Sequence, residues 1–237
     1  MAADRIRSRL DAVEGELSEF AYIVSHDLAA SFRHMKAFSE LLQQDSAGFT
    51  PEQNSYCAHI QAAADKCTGM LEQLLILSRI QRVPMEMGEC DFATLLDTVR
   101  LQLSGQIRRS GAQIVSGDVG QVRVDGDLFT RALGCLLDNA VKFRRDSTRP
   151  RIAIAMTQDS ETKRIVIADN GTGLPPVDPE RLFWMFYRGD PEKYAGTGTG
   201  LTIARRILRR HTGEVRFLDV PEGACVEISL PLAGCAQ

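Results

Sequence analysis

A histidine and an aspartate stand side by side at His26 and Asp27, within the stretch EFAYIVSHDLAASFRHM. A neutral imidazole is a nucleophile at its unprotonated nitrogen, and its ordinary pKa lies close to physiological pH. The apolar pattern around the pair is helical and places His26 off the apolar seam, so we expect its side chain to face solvent. Two solvated polar side chains on a helix surface are the alternative interpretation.

A second group of residues whose side chains could bind a ligand lies on the predicted helix DLFTRALGCLLDNAVKF. Cys135, Asn139 and Lys142 are spaced four and three apart, so they share one stripe of that helix. The carboxamide oxygen of Asn139 suits a hard cation such as Mg²⁺, and Lys142 offers a point charge to phosphate. A buried asparagine and a lysine that complements the helix C-terminus would give the same pattern.

The segment RIVIADNGTGLPP ends a predicted strand at Asp169. A carboxylate there can accept hydrogen bonds from an exocyclic amine, and Gly171 and Gly173 allow a flat base to approach the backbone. The D-N-G sequence is also typical of a hairpin turn, but TGLPPVDP is a poor returning strand.

A second glycine cluster, Gly196, Gly198 and Gly200, leads into the predicted helix of AGTGTGLTIARRILRRH, whose first N–H groups could bind an anion. The cluster matches neither a P-loop nor G-x-G-x-x-G. The long stretch 174–195 before it contains LFWMFYR and is typical of a lid, or of a short amphipathic helix. We interpret the arginines after it as a solvated helix face and three histidines as structural: Arg205, Arg206, Arg209, Arg210, and His34, His59, His211.

The elements that must position these residues differ between the two halves. In the first 80 residues apolar side chains follow an a/d heptad seam, which shifts register at the His26–Asp27 pair and resumes at Leu28. Residues 45–53 interrupt the helix, and Thr50, Pro51 and Gln53 predict a capping box that starts a second helix. The predicted seams are Ile6, Leu10, Val13, Leu17, Phe20, Val24, then Leu28, Phe32, Met35, Phe38, Leu42, and Tyr56, Ile60, Ala63, Cys67, Met70, Leu74, Leu77.

A lone hairpin of two such helices cannot bury its apolar stripe, whereas two copies paired as a four-helix bundle can, so we predict a homodimer. After a polar linker at 81–89, strand patterns appear at 151–157, 164–169 and 224–232, and helical patterns near 92–108, 127–143 and 200–211. This mixture predicts an α/β layer with helices on one sheet face.

Composition narrows the class of protein. The net charge of −3 over 237 residues argues against nonspecific nucleic-acid binding. No apolar run reaches the length of a membrane span, and MAADRIRSRL lacks the apolar core of a signal peptide. The six cysteines form no C-x-x-C pair, and we expect reduced thiols in a cytoplasmic protein.

Five motifs of the sequence resemble, in order and at these separations, the H, N, G1, F and G2 boxes of sensor histidine kinases. They are SHDL, LLDNAVKF, DNGTG, LFWMFYR and GTGTGL. The resemblance covers nearly the whole chain and implies an α+β fold. Residues 1–82 would form the HisKA-type helical hairpin for dimerisation and phosphotransfer. Residues 88–237 would form an α/β-sandwich ATP-binding domain of the type shared with gyrase and Hsp90.

The resemblance also implies roles. His26 would be phosphorylated from ATP and pass the phosphoryl group to an aspartate on a response regulator receiver domain, while Asp27 accepts the proton from the other imidazole nitrogen. Asn139 would ligate Mg²⁺, Lys142 would contact phosphate, and Asp169 would read the adenine amino group. The other implied nucleotide-binding residues are Gly171, Gly173, Arg188, Gly196, Gly198, Gly200 and Leu201.

Three positions depart from the family pattern: Ser31 replaces a proline, Ala30 a threonine or asparagine, and Cys135 an asparagine. Cys135 favours an alternative, a phosphotransfer hub with a degenerate ATPase-like domain, which the intact Asp169 and glycine boxes count against. A gyrase- or chaperone-like ATPase leaves His26 and the hairpin unexplained. The signal is expected from an upstream sensor domain or partner outside this chain.

Overall fold

The structure is a computed structural model that describes residues 24, 28–44, 48–146, 148–189 and 197–232. The chain divides into two compact units, Met1–Val83 and Pro84–Gln237. His26, Asp27 and Gly196 lie outside the described residues, as do the seam positions before Val24.

The first unit contains two long helices, α1 at residues 28–44 and α2 at Pro51–Arg82. The predicted capping box is confirmed, because the Gln53 N–H donates to the Thr50 hydroxyl and the Thr50 N–H donates to the Gln53 carboxamide. Lys36 bonds Asp65 at 2.8 Å, and Gln61 donates to Gln43 at 3.0 Å. The contact position in α2 moves back from residue 65 to residue 61 as α1 advances from residue 36 to residue 43, so the pair is an antiparallel hairpin.

The contact between α1 and α2 uses small and polar side chains rather than the predicted apolar seam. Ala29, Ser39, Cys57 and Ala64 are buried there, and the Ser39 hydroxyl donates to the Cys57 carbonyl at 2.9 Å. Large apolar side chains of α1 and of the first part of α2 remain exposed within the single chain, and Phe38 has 67% of its surface accessible. Leu71, Leu77 and Ile80, nearer the end of α2, are buried. The exposed stripe consists of Leu28, Met35, Phe38, Leu41, Leu42, Tyr56 and Ile60.

The second unit combines a five-stranded mixed sheet, ordered β2-β4-β5-β7-β6, with a separate pair β1-β3. Strand β2 runs parallel to β4, and every other pairing is antiparallel. The strands are β1 Met87–Asp91, β2 Gln113–Ser116, β3 Gln121–Asp125, β4 Arg151–Gln158, β5 Thr162–Asp169, β6 Glu214–Leu218 and β7 Ala224–Pro231. The helices are α3 Phe92–Gln102, α4 Ser104–Ser110, α5 Gly126–Lys142 and α6 Gly200–Arg210, with a 3₁₀ turn, η1, at Pro179–Phe183.

One face of the sheet carries the core. Along β4 the buried Ile152 and Ile154 alternate with the exposed Ala153 and Ala155, as expected for a strand with one covered face. Ile165 and Ile167 of β5 and Ile228 of β7 continue the buried face, opposite fully buried side chains of the helices such as Leu133, Leu137 and Ile207. The predicted α+β class, with helices and a mixed sheet, is confirmed.

Several predicted boundaries were wrong. The linker is shorter than 81–89, because α2 continues to Arg82 and β1 begins at Met87. The helix expected at 92–108 is two helices that meet at Leu103, whose φ of −89° and ψ of 5° end α3. Ser104 and Gly105, both weak helix formers, follow that break. Strands β1, β2, β3 and β6 were not predicted, since each has only four or five residues.

Among the described residues, no helix is long and apolar enough to cross a membrane. The five cysteines in the described part of the chain are free thiols.

Candidate functional site

Asp169 lies at the end of β5, opposite Ala224 of β7. Its Oδ1 accepts hydrogen bonds from the Gly171 N–H at 2.8 Å and the Ala224 N–H at 3.2 Å. Burial raises the pKa of this carboxyl, and the two hydrogen bonds oppose that rise. Within the described part of the chain no group donates to Oδ2. One oxygen of the carboxylate is therefore fixed by the fold, and the other is left to accept from a ligand.

The residues after Asp169 do not form a hairpin turn, because β5 pairs with β4 and β7 and the next strand in sequence begins at Glu214. Asn170 instead ties this loop to the start of β4. Its side chain accepts from the Arg151 N–H at 2.8 Å and donates to the Arg149 carbonyl at 3.1 Å. The loop that follows Asp169 is therefore held on the sheet edge by its own asparagine.

Glycine is required where this loop meets its neighbours. A Cβ at Gly171 would stand 2.4 Å from the Phe143 carbonyl oxygen, and Gly173 has a φ of +79°. Sequence reasoning missed Gly223, where a Cβ would stand 1.8 Å from the Asp169 carbonyl oxygen. The sequence before β7 indicates only a turn there, and the close approach to Asp169 depends on the pairing of β5 with β7.

Arg145 is a second residue that sequence reasoning missed. Its Nε donates to the Gly171 carbonyl at 2.9 Å, and its Nη1 lies 2.6 Å from a carboxylate oxygen of Glu222. Arg145 therefore joins the segment after α5 to the loop after β5 and to the turn before β7.

Asn139 and Lys142 lie in the last turn of α5, a helix whose N-cap Asp125 accepts from the Leu128 N–H. Burial lowers the pKa of Lys142, Asp138 opposes this, and the positive charge of Arg188 lowers it further. A Cβ at Gly198 would stand 3.0 Å from Cγ of Arg188, and one at Gly200 would stand 3.9 Å from Cβ of Cys135, so Arg188 lies toward the stripe of α5 that carries Cys135, Asn139 and Lys142. The predicted phosphate contacts are thus brought together, although they lie 46 positions apart in the sequence.

Cys135 lies one turn before Asn139, and burial raises the pKa of its thiol to about 11. It is therefore a neutral thiol at physiological pH. A Cβ at Gly200 would lie 3.9 Å from the Cys135 Cβ, so the start of α6 packs beside the α5 stripe.

The predicted glycine cluster opens α6. Gly198 has a φ of +72°, and a Cβ there would stand 2.6 Å from the Tyr187 carbonyl oxygen and 3.0 Å from Cγ of Arg188. Gly200 is the first residue of α6, and the partly buried Leu201 follows it. Two of the three glycines thus lie between Arg188 and the α5 stripe, and Gly196 lies outside the described residues.

The aromatic segment LFWMFYR is not an amphipathic α-helix. Its first two residues, Leu182 and Phe183, end the 3₁₀ turn η1, and residues 184–188 follow outside any helix. Phe183 is buried against Phe217, with ring centroids 5.3 Å apart, whereas Trp184 is 54% exposed. The guanidinium of Arg181 stacks on Trp184 at 5.3 Å and on Tyr187 at 5.1 Å.

The prediction of a solvated arginine face on α6 was wrong for Arg205. This side chain pairs with Glu180 and stacks on Phe183, whereas Arg206 and Arg209 are exposed. His211 is buried at the end of α6, in agreement with a structural role. Its Nε2 accepts from the Asp125 N–H at 3.0 Å, and its Nδ1 donates to the Ile207 carbonyl at 2.8 Å.

Comparison with known proteins gives this geometry a family context. A family described as histidine kinase-, DNA gyrase B- and HSP90-like ATPase matches residues 124–234. The methanogenesis regulatory histidine kinase FilI of Methanothrix harundinacea is 32% identical over 237 residues, covering 97% of this chain and 26% of that protein. The chain spans only 26% to 31% of the length of the first curated relatives it matches.

Solved structures agree with this relationship. The mycobacterial sensor histidine kinase MprB is 27% identical with a TM-score of 0.53, over 62% of this chain and 97% of its own. Full-length ShkA in complex with AMPPNP gives a TM-score of 0.64 at 22% identity, over 92% of this chain and 47% of its own. The second of these is a likeness of fold.

Proposed function

Because the chain belongs to the sensor histidine kinases, with an ATP-binding domain of the histidine kinase-, gyrase- and HSP90-like family, we propose that it phosphorylates its own His26 from ATP. It then passes the phosphoryl group to an aspartate on a response regulator receiver domain. Residues 1–82 supply the acceptor and residues 88–237 bind the nucleotide.

The observation that carries this proposal is the state of Asp169. Two backbone N–H groups occupy its Oδ1, whereas no described group donates to Oδ2. Among the described residues no buried side-chain oxygen lacks a partner, so Oδ2 is open to approach, and the exocyclic amine of adenine would donate to it. Gly171 and Gly173 keep side chains away from this position, so a flat base can lie against the backbone.

The phosphates belong at the other end of this arrangement, near Lys142 and Arg188. Burial is the main cause of the lowered pKa of Lys142 and the charge of Arg188 adds to it, and a bound polyphosphate would offset both effects. Gly198 and Gly200 let the chain enter α6 close to these two cations. The N–H groups of the first turn of α6 point out of the helix start and can bind an anion there.

Asn139 is the residue that would hold Mg²⁺. Among the described residues there is no cluster of histidine, cysteine or acidic side chains for a metal. One carboxamide oxygen nevertheless suits Mg²⁺, which takes few protein ligands and completes its shell with water and substrate phosphates. When bound, the ion neutralises charge on the transferred phosphoryl group.

The transfer step requires little covalent chemistry from the protein. A bond forms between an imidazole nitrogen of His26 and the γ-phosphorus, the bond from that phosphorus to the β–γ bridging oxygen breaks, and ADP leaves. Asp27 accepts the proton from the other imidazole nitrogen, which keeps the attacking nitrogen unprotonated. The nucleotide-binding residues supply position and charge.

We further propose that the active form is a cytoplasmic homodimer. The stripe of Leu28, Met35, Phe38, Leu41, Leu42, Tyr56 and Ile60 is exposed in the single chain. A second hairpin would cover it in a four-helix bundle, with the small-residue contact retained inside each hairpin.

Cys135 supports a second candidate, a phosphotransfer hub with a degenerate nucleotide site. Its neutral thiol stands where relatives carry an asparagine oxygen, beside Asn139 on the same stripe. A hub would accept phosphate on His26 from a phosphorylated receiver but not from ATP.

Incubation with γ-labelled ATP and Mg²⁺ tests the first candidate. Acid-labile, base-stable label on the wild type that is lost in His26→Ala, with ATP binding retained, is the expected result. The label should persist on the His34→Ala variant, in which a different histidine, one that lies in α1, is replaced. Label that survives in His26→Ala places the acceptor elsewhere, and absence of label on the wild type, together with transfer from a phosphorylated receiver, favours the hub.

A further inference from the structure

Arg205 occupies an unusual place for a surface-helix arginine. Its side chain is only 17% exposed, and its Nη1 lies 2.8 Å from Oε2 of Glu180 in η1. Its guanidinium also covers the ring of Phe183, 4.8 Å from the centroid. The neighbouring Arg206 on the same helix is exposed. Arg205 is therefore used to join α6 to η1.

The contacts that link Arg205 and Thr202 of α6 to η1, here called the joint, converge on Phe183, the last residue of η1. The Phe183 carbonyl accepts from Nη2 of Arg205 at 3.3 Å and from the Thr202 hydroxyl at 2.9 Å. The Phe183 ring is buried against Phe217 of β6. Because backbone and side chain are both held, the point where the chain leaves η1 is fixed relative to α6.

The chain between this fixed point and Arg188 is short and constrained. Phe186 has a φ of +61°, a backbone conformation that residues other than glycine adopt only at an energetic cost. Gly198 packs against the carbonyl of Tyr187 and against Cγ of Arg188 with no room for a side chain. A shift of η1 relative to α6 would thus be transmitted to Arg188, because the four residues between Phe183 and Arg188 have little slack.

We propose that Arg205 is a positioning residue that holds Arg188 beside Lys142, and so sets how strongly the site prefers ATP over ADP. The inference rests on the proposed function, because it assumes that this pair of cations receives the nucleotide phosphates. Coulomb attraction weakens with distance, so a displaced Arg188 loses most where the ligand charge is greatest, at the terminal phosphate. The adenine contact at Asp169 lies on β5 and does not depend on η1.

The test compares Arg205→Gln and Arg205→Lys with Arg206→Gln, a matched neighbour, in the full chain with Mg²⁺. Calorimetry measures the Kd for ATP and for ADP. We expect Arg205→Gln to weaken ATP binding about five- to tenfold and ADP binding less than about twofold, an effect on the scale of one lost charge-assisted contact. Arg205→Lys keeps the charge and should recover part of the loss, and Arg206→Gln should change neither Kd.

Trp184 follows Phe183 directly, so its emission reports on the joint without nucleotide. Arg205→Gln and Glu180→Gln should both shift the emission of the ligand-free protein, and Arg206→Gln should not. Glu180→Gln removes only the ion pair and provides the binding comparison if Arg205→Gln does not fold. An unshifted emission in both joint variants overturns the inference.

Equal losses of ATP and ADP affinity in the joint variants would show a merely structural role and overturn the inference, as would unchanged affinities for both. A wild-type chain that binds neither nucleotide overturns the proposed function and the inference with it. Wild-type binding with unaltered nucleotide preference in the folded variants overturns the inference alone.

Discussion

The backbone N–H of Asp125 donates to Nε2 of His211 across 3.0 Å, joining residues that are 86 positions apart. The Asp125 carboxylate also caps α5 and accepts from the Glu86 N–H at 2.9 Å, so the start of α5, the start of the second unit and the end of α6 meet at Asp125. Because Nε2 accepts and Nδ1 donates to the Ile207 carbonyl, the ring must be neutral.

This bond makes the stability of the second unit depend on pH. Burial lowers the pKa of His211, Arg210 adds to that, and the Ile207 carbonyl and Asp125 oppose it. The unfolded chain therefore binds a proton below about pH 6.5 that the folded chain does not. Stability should be constant above pH 7.5 and fall as the pH drops below 6.5, by at most about 1.4 kcal/mol for each pH unit.

Thermal melting of the full chain between pH 8 and pH 5 measures this dependence. His211→Gln should lower the melting temperature at pH 8 and flatten its decline toward pH 5. His59→Gln, at an exposed position on α2, should leave the decline unchanged. A decline of the same slope in His211→Gln would assign the acid sensitivity to other groups.

Asp169→Asn should separate folding from nucleotide recognition. The amide oxygen can replace Oδ1 and keep the bonds from Gly171 and Ala224, so the variant should fold. The amide nitrogen then stands at Oδ2 and presents a donor to the donor of adenine. We expect a loss of about 1–3 kcal/mol in ATP binding. Calorimetry of a variant with wild-type melting temperature checks this, and unchanged affinity would reduce the Asp169 loop to a structural turn.

Gly223→Ala should disturb the same loop around Asp169, from the turn that precedes β7. The added Cβ would stand 1.8 Å from the Asp169 carbonyl oxygen, at a φ of +70°. The left-handed backbone alone costs about 1–3 kcal/mol for a residue with a side chain, and the clash adds to it. Gly120→Ala, where a Cβ meets nothing within 4 Å, is the control. Equal melting temperatures and ATP affinities in the two variants would contradict this account.

Whether a feature could be predicted from the sequence depends on how far apart in the chain the interacting residues lie. The capping box at Thr50 and the strands β4, β5 and β7 depend on local pattern, and all were predicted. Glycines that need a positive φ or a close approach within one loop, such as Gly173 and Gly198, were also found from sequence. The joints were not, because Arg205 and Glu180 are 25 positions apart and Ala224 and Asp169 are 55 apart. Such pairs are set by strand order and helix packing, which single-sequence periodicity does not reveal.

Cys135→Asn tests whether the nucleotide site is weakened by its one substituted position. The thiol is neutral because burial raises its pKa to about 11, so it is a poor ligand for a hard cation. An asparagine oxygen one turn from Asn139 should raise the autophosphorylation rate and lower the Mg²⁺ concentration needed for half-maximal rate. Cys90→Asn, at another partly buried thiol, is the control. A lower rate in a folded Cys135→Asn would show that the site is built around the thiol.

We expect Ala30 to make the chain a poor phosphatase toward a phosphorylated response regulator. Residue 30 lies one helical turn beyond His26 in sequence, so on a continuous helix both share one face. In the relatives that the motifs resemble, a threonine or asparagine there is thought to hold the attacking water, and the methyl group of Ala30 cannot. Orienting a water can be worth orders of magnitude in rate, so its loss should be large. Ser31 is rotated about a third of a turn around the helix and does not replace it.

The measurement is phosphate release from a purified phosphorylated receiver in the presence of the full chain and ADP. The natural sequence should accelerate release little, and Ala30→Thr should accelerate it at least about tenfold, the gain expected from one oriented water. Ala37→Thr provides the control, because position 37 lies on nearly the same face of α1 but two turns farther along. Autophosphorylation should be similar in all three proteins, since the role proposed for residue 30 concerns the docked regulator and not the nucleotide. Rapid release by the natural sequence, or equal release by Ala30→Thr and Ala37→Thr, would refute this role for residue 30.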